Sequence, residues 1–177
     1  NANSCLLFTN TRSQCETWFQ ALLERHPYLA GKIALHHSSI DFKTRQFIEN
    51  QLREHQFKCV VCTSSLDLGV DFSPVDCVIQ VGSPKGIARL LQRAGRSGHQ
   101  LNATPQLICV PTNAFEIFEF TAARNALSKQ SIEARPIMMN ALDVLAQHCV
   151  TLSLGDGFKP DALYDIVKQC YSFQNLS

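Results

Sequence analysis

Two arginines lie three residues apart in the segment LLQRAGRSGHQ, which spans residues 90–100. Arg93 and Arg96 each carry a planar, permanently charged fork of N–H donors that matches the oxygens of a phosphate. Gly95 and Gly98 loosen the backbone beside them. The same pattern also fits the exposed end of an ordinary helix. The arginine pair therefore indicates a phosphate contact but does not establish one.

Hydroxyl, amide and cationic side chains follow four apolar segments that read as strands, namely CLLF, KIALH, KCVVCT and CVIQVG. The carboxyl ends of parallel strands meet at one edge of a sheet, where open α/β sheets bind ligands. Hydroxyls donate hydrogen bonds to phosphate oxygens and cations neutralise them, so this edge is predicted to hold a nucleic-acid backbone. Its candidate residues are Thr9, Asn10, Thr11, Arg12, Ser38, Ser39, Thr63, Ser64 and Lys85.

Each of these residues also has a simpler interpretation. A Ser or Thr after a strand often caps the following helix, and only the convergence of four loops favours a ligand. The loops lack aromatic stacking platforms, so base-specific recognition is not expected. Asp67 and Asp71 could be paired carboxylates for acid–base chemistry, but no nucleophile or metal motif is near, so we expect them to stabilise their loop or bind a hydroxyl. His36 and His37 lack a third ligand at the spacing of a zinc site.

The sequence lacks two parts of a complete ATPase. It has no G-x-x-x-x-G-K-[ST] segment to hold a triphosphate, and no acidic strand end of the Walker-B type to hold Mg²⁺. The arginines of QRAGRSGH are therefore predicted to be half of a site whose other half lies elsewhere.

Strand-like and helical patterns alternate along the first two thirds of the chain, and QLICVP supplies a fifth strand. Continuous apolar strands that alternate with helices predict a parallel α/β sheet covered on both faces. Thr11 and Asp41 are predicted N-caps, with Gln14 completing a capping box after Thr11. The residues predicted to face the sheet are Cys15, Phe19, Leu22, Leu23, Phe47, Ile48, Leu52, Leu90 and Leu91.

The pattern changes after residue 130, where SIEARP has the composition of a linker and two helical segments follow. We therefore predict one α/β domain over 3–130 and a short helical segment over 136–177. Two helices cannot bury a core by themselves. The segment is expected either to pack on the sheet domain or to begin a domain that is cut short.

Composition limits the class of protein. Of the 177 residues, 45% are hydrophobic and 18% are charged, which indicates a packed core. The net charge is +1, so any binding to nucleic acid must come from a local patch. The eight cysteines are scattered, and Cys59 and Cys62 are predicted to face opposite sides of a strand. We expect reduced thiols and a cytoplasmic protein, because no signal peptide or membrane-spanning run occurs.

The ordered segments resemble the motifs of superfamily-two helicases. LLFTNTRSQCE is similar to motif IV, VVCTSSLDLGVDF to motif V and QRAGRSGH to motif VI. The full wording, which includes ALHHSSI and GSPKGIARLL, resembles the large helicase-related (Lhr) family, and most closely its ligase-associated DEXH-box branch. LDVLAQHCVTLSLGDGF is similar to the start of the winged-helix domain of that family.

This resemblance implies a second RecA-like motor domain followed by a truncated winged helix. ATP and Mg²⁺ would bind in a cleft shared with a missing N-terminal RecA-like domain, and this chain alone would hold neither. By motif position, Arg96 would be the arginine finger, and Gln92 with Arg93 would organise the cleft. Gly69 and Asp71 would lie beside the ribose. His99 stands where many relatives have a second arginine, which weakens the case for a second finger.

The resemblance further implies a DNA partner held by its backbone, 3′-to-5′ translocation, a role in DNA repair, and an ATP-dependent DNA ligase and a nuclease as neighbours. Three alternatives stay open on the residues alone. The chain could belong to an RNA helicase, since backbone contacts hardly separate DNA from RNA. It could be a non-catalytic nucleic-acid-binding module, or a structural domain whose arginines form ordinary surface pairs.

We predict that the 177-residue chain hydrolyses no ATP by itself, with or without DNA. The reason is the missing P-loop and the missing Mg²⁺-binding acid. Phosphate release would be measured across a range of protein concentrations. Turnover that scales with the concentration of pure protein, and is lost in Arg96→Ala, would contradict the prediction.

Overall fold

A computed structural model describes residues 3–68, 70, 75–83, 85–98, 105–133 and 136–176. Within these residues five parallel strands form one sheet in the order β2-β3-β1-β4-β5. The strands are β1 (Cys5–Phe8), β2 (Ile33–His36), β3 (Cys59–Cys62), β4 (Cys77–Val81) and β5 (Leu107–Val110). Each lies inside an apolar segment that the sequence predicts to be a strand.

Helices cover both faces of the sheet, which confirms the predicted RecA-like α/β architecture. The helices of the sheet domain are α1 (Arg12–Arg25), α2 (Phe42–Arg53), α3 (Ile87–Ala94) and α4 (Ala114–Ser128). On one face Cys15 of α1 packs with Leu7 and Val61. On the other face Ile48 and Leu52 of α2 pack against the sheet. Alternate residues of each strand therefore serve separate cores, since successive side chains of a strand point to opposite faces.

The predicted N-caps are confirmed. The Thr11 hydroxyl accepts a hydrogen bond from the Gln14 backbone N–H at 3.2 Å, and the Asp41 carboxylate accepts one from Thr44 N–H at 3.0 Å. The predicted capping box is wrong in one detail. The Gln14 side chain accepts from the N–H of Asn10 at 3.3 Å, one residue before the cap, and not from Thr11.

Two apolar residues predicted to face the sheet do not. Phe47 is 59% exposed and Leu91 is 37% exposed. Their neighbours Ile48 and Leu90 take the inward positions and are buried. A helix buries a stripe and not every apolar residue on it, because successive side chains are turned by about 100° around the axis.

The chain divides into two compact units, Asn1–Glu133 and Ala134–Ser177. The second contains α5 (Leu142–Leu154), α6 (Pro160–Lys168) and a short 3₁₀ turn at Tyr171–Phe173. No strand occurs among residues 136–176. The Asn140 N–H donates to the carbonyl of Ser172 at 2.8 Å, so a contact distant in sequence holds this unit together.

All eight cysteines are free thiols. Cys59 and Cys62 belong to opposite cores, which confirms that the C-x-x-C pair cannot act as a chelating pair. None of the described helices is both long and apolar enough to cross a lipid bilayer.

We predict that Ile48→Ala lowers the free energy of unfolding by about 2–5 kcal/mol, the usual cost of truncating a buried aliphatic side chain. The adjacent Phe47→Ala is the matched control and should change it by less than about 1 kcal/mol, because Phe47 is mainly exposed. Urea unfolding followed by circular dichroism measures both. Equal losses in the two variants would show that α2 packs through a different stripe.

Candidate phosphate-binding site

The loops that follow the strands meet at the carboxyl edge of the sheet, as predicted. The Thr9 N–H donates to the carbonyl of Cys62 at 2.8 Å, and the Thr63 N–H donates to that of His36 at 3.2 Å. The Asn10 side-chain amide donates to the carbonyl of Ser83 at 2.8 Å. These bonds join the loops after β2, β3, β1 and β4 in their order across the sheet.

Gly82 makes one of these junctions possible. Its φ is +72°, and a Cβ at this position would lie 3.1 Å from the Asn10 amide nitrogen. A larger residue would therefore be strained and would push away the side chain that ties the first loop to the fourth.

Arg12 provides the clearest cation of this edge. Its side chain is 60% exposed and pairs with Glu16 at 3.3 Å, and its Nη1 donates to the Ser39 hydroxyl at 3.2 Å. The other predicted contact residues that are exposed are Asn10, Thr11, Ser38, Ser39, Ser64 and Lys85. This surface presents hydroxyls, an amide and cations to the solvent, and a phosphodiester backbone accepts hydrogen bonds from all of these groups.

One hydroxyl residue of the predicted set serves the fold. Thr9 is fully buried, and its hydroxyl lies 3.4 Å from the carbonyl of Cys62 and 3.2 Å from that of Thr11. Its predicted contact with a ligand is wrong, because a buried hydroxyl that is bonded to the backbone cannot reach a phosphate. Thr63 is half-buried, so it stays a candidate contact residue.

His36, the last residue of β2, and His37, which follows it, are buried polar residues beneath this edge. His36 Nδ1 lies 2.7 Å from the Ser65 hydroxyl, and its Nε2 lies 3.1 Å from Glu49 Oε1. His37 Nε2 lies 3.5 Å from Glu16, the same carboxylate that pairs with Arg12. Among the described residues no three His, Cys, Asp or Glu side chains are arranged to hold a metal ion.

Arg93 lies inside the domain. It is 1% exposed, and its Nε and Nη2 donate to the two oxygens of the Asp67 carboxylate at 2.8 and 3.3 Å. Its Nη1 donates to the side-chain oxygen of Gln80, and its guanidinium carbon lies 4.6 Å from the centre of the Phe8 ring. The prediction that Arg93 projects outward toward a partner domain is wrong, because its charge is satisfied within this domain.

Arg96 is held by backbone carbonyls. Its Nε and Nη2 donate to the carbonyl of Asp67 at 3.1 and 2.7 Å, and its Nη1 donates to that of Val70 at 3.0 Å. Arg96 is half-buried. The side chain of Asp67 pairs with Arg93, so Arg96 contacts Asp67 through its backbone.

The arginine helix crosses the sheet from one edge to the other. Helix α3 begins after the carboxyl end of β4. The turn that follows its last residue lies beside Val75, whose N–H donates to the Arg96 carbonyl at 3.1 Å. Val75 precedes the amino end of β4. The predicted site residues therefore form two groups, one on the carboxyl-edge loops and one at the far end of α3, where Gln92 is exposed. Gly69, Asp71 and His99 lie outside the described residues.

Sequence reasoning missed Gln80 and Glu133. The Glu133 carboxylate accepts hydrogen bonds from the N–H groups of Ile87 and Ala88, and so caps the first turn of α3. Gly86 has a φ of +117°, and a Cβ there would collide with this carboxylate. Glu133 is 46 residues from Ile87, and no local pattern signals a cap at that separation.

Comparison with known proteins gives consistent matches. Residues 1–100 match the helicase conserved C-terminal domain, and residues 125–177 match the winged-helix domain of the large helicase-related protein. The chain is 35% identical to the ATP-dependent helicase Lhr-Core protein 2 of Thermococcus barophilus and 36% identical to the ATP-dependent helicase Lhr-Core of Methanocaldococcus jannaschii. Both alignments cover 97% of this chain but only 20% of the relative.

Among solved structures, the helicase Lhr of Mycobacterium smegmatis bound to ssDNA and AMP-PNP matches with a TM-score of 0.89 and 33% identity. That match covers 99% of this chain and 23% of the other chain. The chain thus corresponds to about a fifth of the length of these larger proteins.

We predict that Arg93→Ala lowers the free energy of unfolding by about 3–5 kcal/mol, because it leaves the Asp67 carboxylate buried without its principal partner. Arg89→Ala is the matched control. Arg89 lies 3.6 Å from the same carboxylate but is 43% exposed, so its loss should cost less than about 1 kcal/mol. Chemical denaturation measures both variants, and a small effect of Arg93→Ala would show that the buried pair does not hold the fold.

We predict that His36 makes the domain less stable in mild acid. Burial lowers the pKa of His36, against the opposing effect of Glu49, and nearby Arg45 and His37 lower it further. The unfolded chain then binds more protons than the folded chain, so this contribution is present above a pH of about 6.5 and is lost below it.

The measurement compares unfolding free energies at pH 7.5 and 5.5 for the wild type and His36→Gln. The variant should lose less stability between the two pH values, since other groups titrate equally in both proteins. One histidine can contribute no more than about 1.4 kcal/mol per pH unit. Identical losses would show that His36 does not titrate differently on folding.

Proposed function

This chain belongs to the large helicase-related (Lhr) family of superfamily-two helicases, and we propose that it acts as the second motor domain of an ATP-dependent DNA translocase. Its helicase C-terminal match covers residues 1–100. The observation that carries the proposal is the placement of Arg93 and Arg96. Helix α3 supplies Arg93 and the turn that follows it supplies Arg96, and both arginines are bound to the segment that follows β3.

Within that proposal Arg96 is the arginine finger, and Arg93 is the residue that positions it. Arg93 ties α3 to Asp67 by its side chain, while Arg96 binds the carbonyls of Asp67 and Val70. The guanidinium of Arg96 is thereby held in a defined place. Its planar fork of N–H donors matches the oxygens of a phosphate.

The nucleotide would be shared with another RecA-like domain, which would supply the triphosphate and Mg²⁺ sites that this sequence lacks. Bound ATP supplies the phosphoryl group whose transfer to water drives the motor. Gln92 is exposed on the same helix and is proposed to face the shared cleft. Gly69 and Asp71 are proposed to lie beside the ribose, and His99 is proposed to contribute less charge than a second arginine would.

The exposed carboxyl-edge residues are proposed to hold the backbone of one DNA strand. Arg12 with Ser39, and the hydroxyls of Ser38 and Ser64, offer donors along this edge. Similarity to a helicase whose solved structure contains single-stranded DNA supports DNA over RNA as the ligand. Domain closure on ATP would move these loops with α3, which would convert hydrolysis into a step along the strand.

The family branch, the cellular role and the protein partners are inferred from the sequences of the motifs. The resemblance to the ligase-associated branch supports a role in DNA repair with a ligase and a nuclease as partners. The free thiols support a reducing compartment such as the cytoplasm. The alternative, a non-catalytic binding module, uses the same edge but assigns no function to Arg96.

We predict that Arg96→Ala in the full-length enzyme leaves the affinity for nucleotide within a few-fold but lowers kcat by about 10³ or more, the usual effect of losing an arginine finger. Arg96→Lys should restore little, because an ammonium cannot reproduce the planar fork. Single-turnover hydrolysis with saturating DNA separates the chemical step from binding. Arg53→Ala, a surface arginine of α2, is the control.

Arg96 also makes three hydrogen bonds to carbonyls, so Arg96→Ala should destabilise the domain by about 1–3 kcal/mol. Thermal unfolding sets an assay temperature at which the variant stays folded. Normal turnover by the folded variant would make Arg96 a structural residue and would refute the proposed finger.

We predict that the chain binds single-stranded DNA weakly, with a Kd of roughly 10⁻⁴–10⁻⁶ M near physiological salt and no base preference. Arg12→Ala should weaken binding and reduce the slope of log K against log salt by about one. Arg25→Ala removes the same charge at the other end of α1 and should have little effect. Fluorescence anisotropy measures both, and tight, salt-resistant or base-selective binding would favour a dedicated binding module.

A further inference from the structure

Three cysteines form a row at the amino edge of the sheet, opposite the loops of the carboxyl edge. Each is the first residue of its strand, and the three strands are adjacent in the order β3-β1-β4. Cys5 is the register partner of Cys59 on one side and of Cys77 on the other. Register partners point to the same face of a sheet, so the three thiols lie side by side.

The row combines one accessible thiol with two enclosed ones. Cys5 is half-buried, whereas Cys59 is 9% exposed and Cys77 is 5% exposed. A small oxidant from solvent can therefore reach Cys5 before either neighbour. This arrangement of one accessible thiol beside protected thiols is typical of cysteines that are oxidised reversibly.

The three thiols also differ in pKa because their surroundings differ. Hydrogen bonds from the thiols of Cys59 and Cys77 lower the pKa of Cys5, against the opposing effect of burial. The pKa of Cys59 is raised, mainly by its hydrogen bond to Cys5, and burial raises that of Cys77. A thiolate in this row is thus best stabilised on Cys5, and the thiolate is the form that reacts with electrophiles.

The spacing of the strands permits a bond between neighbours. Adjacent strands lie roughly 4.8 Å apart, and the Cα atoms of disulfide-bonded cysteines are usually about 4.4–6.8 Å apart. A metal site is the other use of clustered thiols, but no group of three suitable ligands is arranged for one in the described part of the chain. The row therefore favours thiol redox chemistry.

We propose that Cys5 is a peroxide-reactive thiol whose oxidised form is captured by Cys59 or Cys77 as a disulfide between adjacent strands. The Cys5 thiolate attacks one oxygen of a hydroperoxide, so that an S–O bond forms, the O–O bond breaks and hydroxide or alkoxide leaves. The neighbouring sulfur then attacks Cys5, an S–S bond forms, and the sulfenic oxygen leaves as water with the proton of that thiol. The peroxide is reduced by two electrons, and a small dithiol reverses the change.

The test exposes the reduced 177-residue chain to hydrogen peroxide, blocks free thiols with iodoacetamide and maps peptides without reduction. We expect a peptide that links Cys5 to Cys59 or Cys77, a mass loss of two hydrogens, and full reversal by dithiothreitol. Cys5 should be oxidised about tenfold faster than the exposed Cys170, which serves as the internal reference.

Variants identify the roles of the three thiols. Cys5→Ser should abolish the cross-link, while Cys59→Ser with Cys77→Ser should leave a Cys5 sulfenic acid that dimedone traps. If the double variant does not fold, the wild-type peptide map still decides. Cys5 oxidised without a cross-link would overturn the capture step, and Cys5 that reacts no faster than Cys170 would overturn the whole proposal.

Discussion

The buried pair between Arg93 and Asp67 is the contact on which the arrangement of the arginine helix depends. Removing two charges from water is costly, and only good geometry offsets that cost. Here the guanidinium contacts both carboxylate oxygens, Gln80 accepts from its remaining arm, and the Phe8 ring lies against its face. Breaking the pair would leave two buried charges unsatisfied, so it holds α3 and the segment after β3 in one relative position.

This constraint explains how two arginines three residues apart perform different roles. Arg93 turns into the domain and satisfies its charge there, whereas Arg96 donates to the backbone carbonyls of Asp67 and Val70. Because Asp67 binds Arg93 through its side chain and Arg96 through its backbone, any movement of this segment acts on both. A displacement of Asp67 would therefore move both Arg93 and the proposed finger, Arg96.

The same fold separates three kinds of chemistry. Hydroxyls and Arg12 lie at the carboxyl edge, the arginine helix runs from that edge to the other, and the thiols of Cys5, Cys59 and Cys77 lie at the amino edge. Glu133 caps the start of the helix, while the pair with Asp67 holds its end. Helix α3, which leads directly into Arg96, is therefore held at both ends by acidic residues from other parts of the chain.

The strands, the helices, two N-caps, the shared carboxyl edge and the family can all be predicted from the amino-acid sequence, because they follow from hydrophobic period, capping residues and ordered motifs within short windows. The sequence did not determine which way an arginine would turn. Arg93 and Arg96 have the same chemistry and a spacing that fits one helix face, and only the position of Asp67, 26 residues from Arg93, assigns one to the interior. The same limit applies to the burial of Thr9, the exposure of Phe47 and the capping of α3 by Glu133. Whether a side chain is covered, or which helix it caps, depends on contacts between segments distant in sequence, and only the packed tertiary structure makes those contacts.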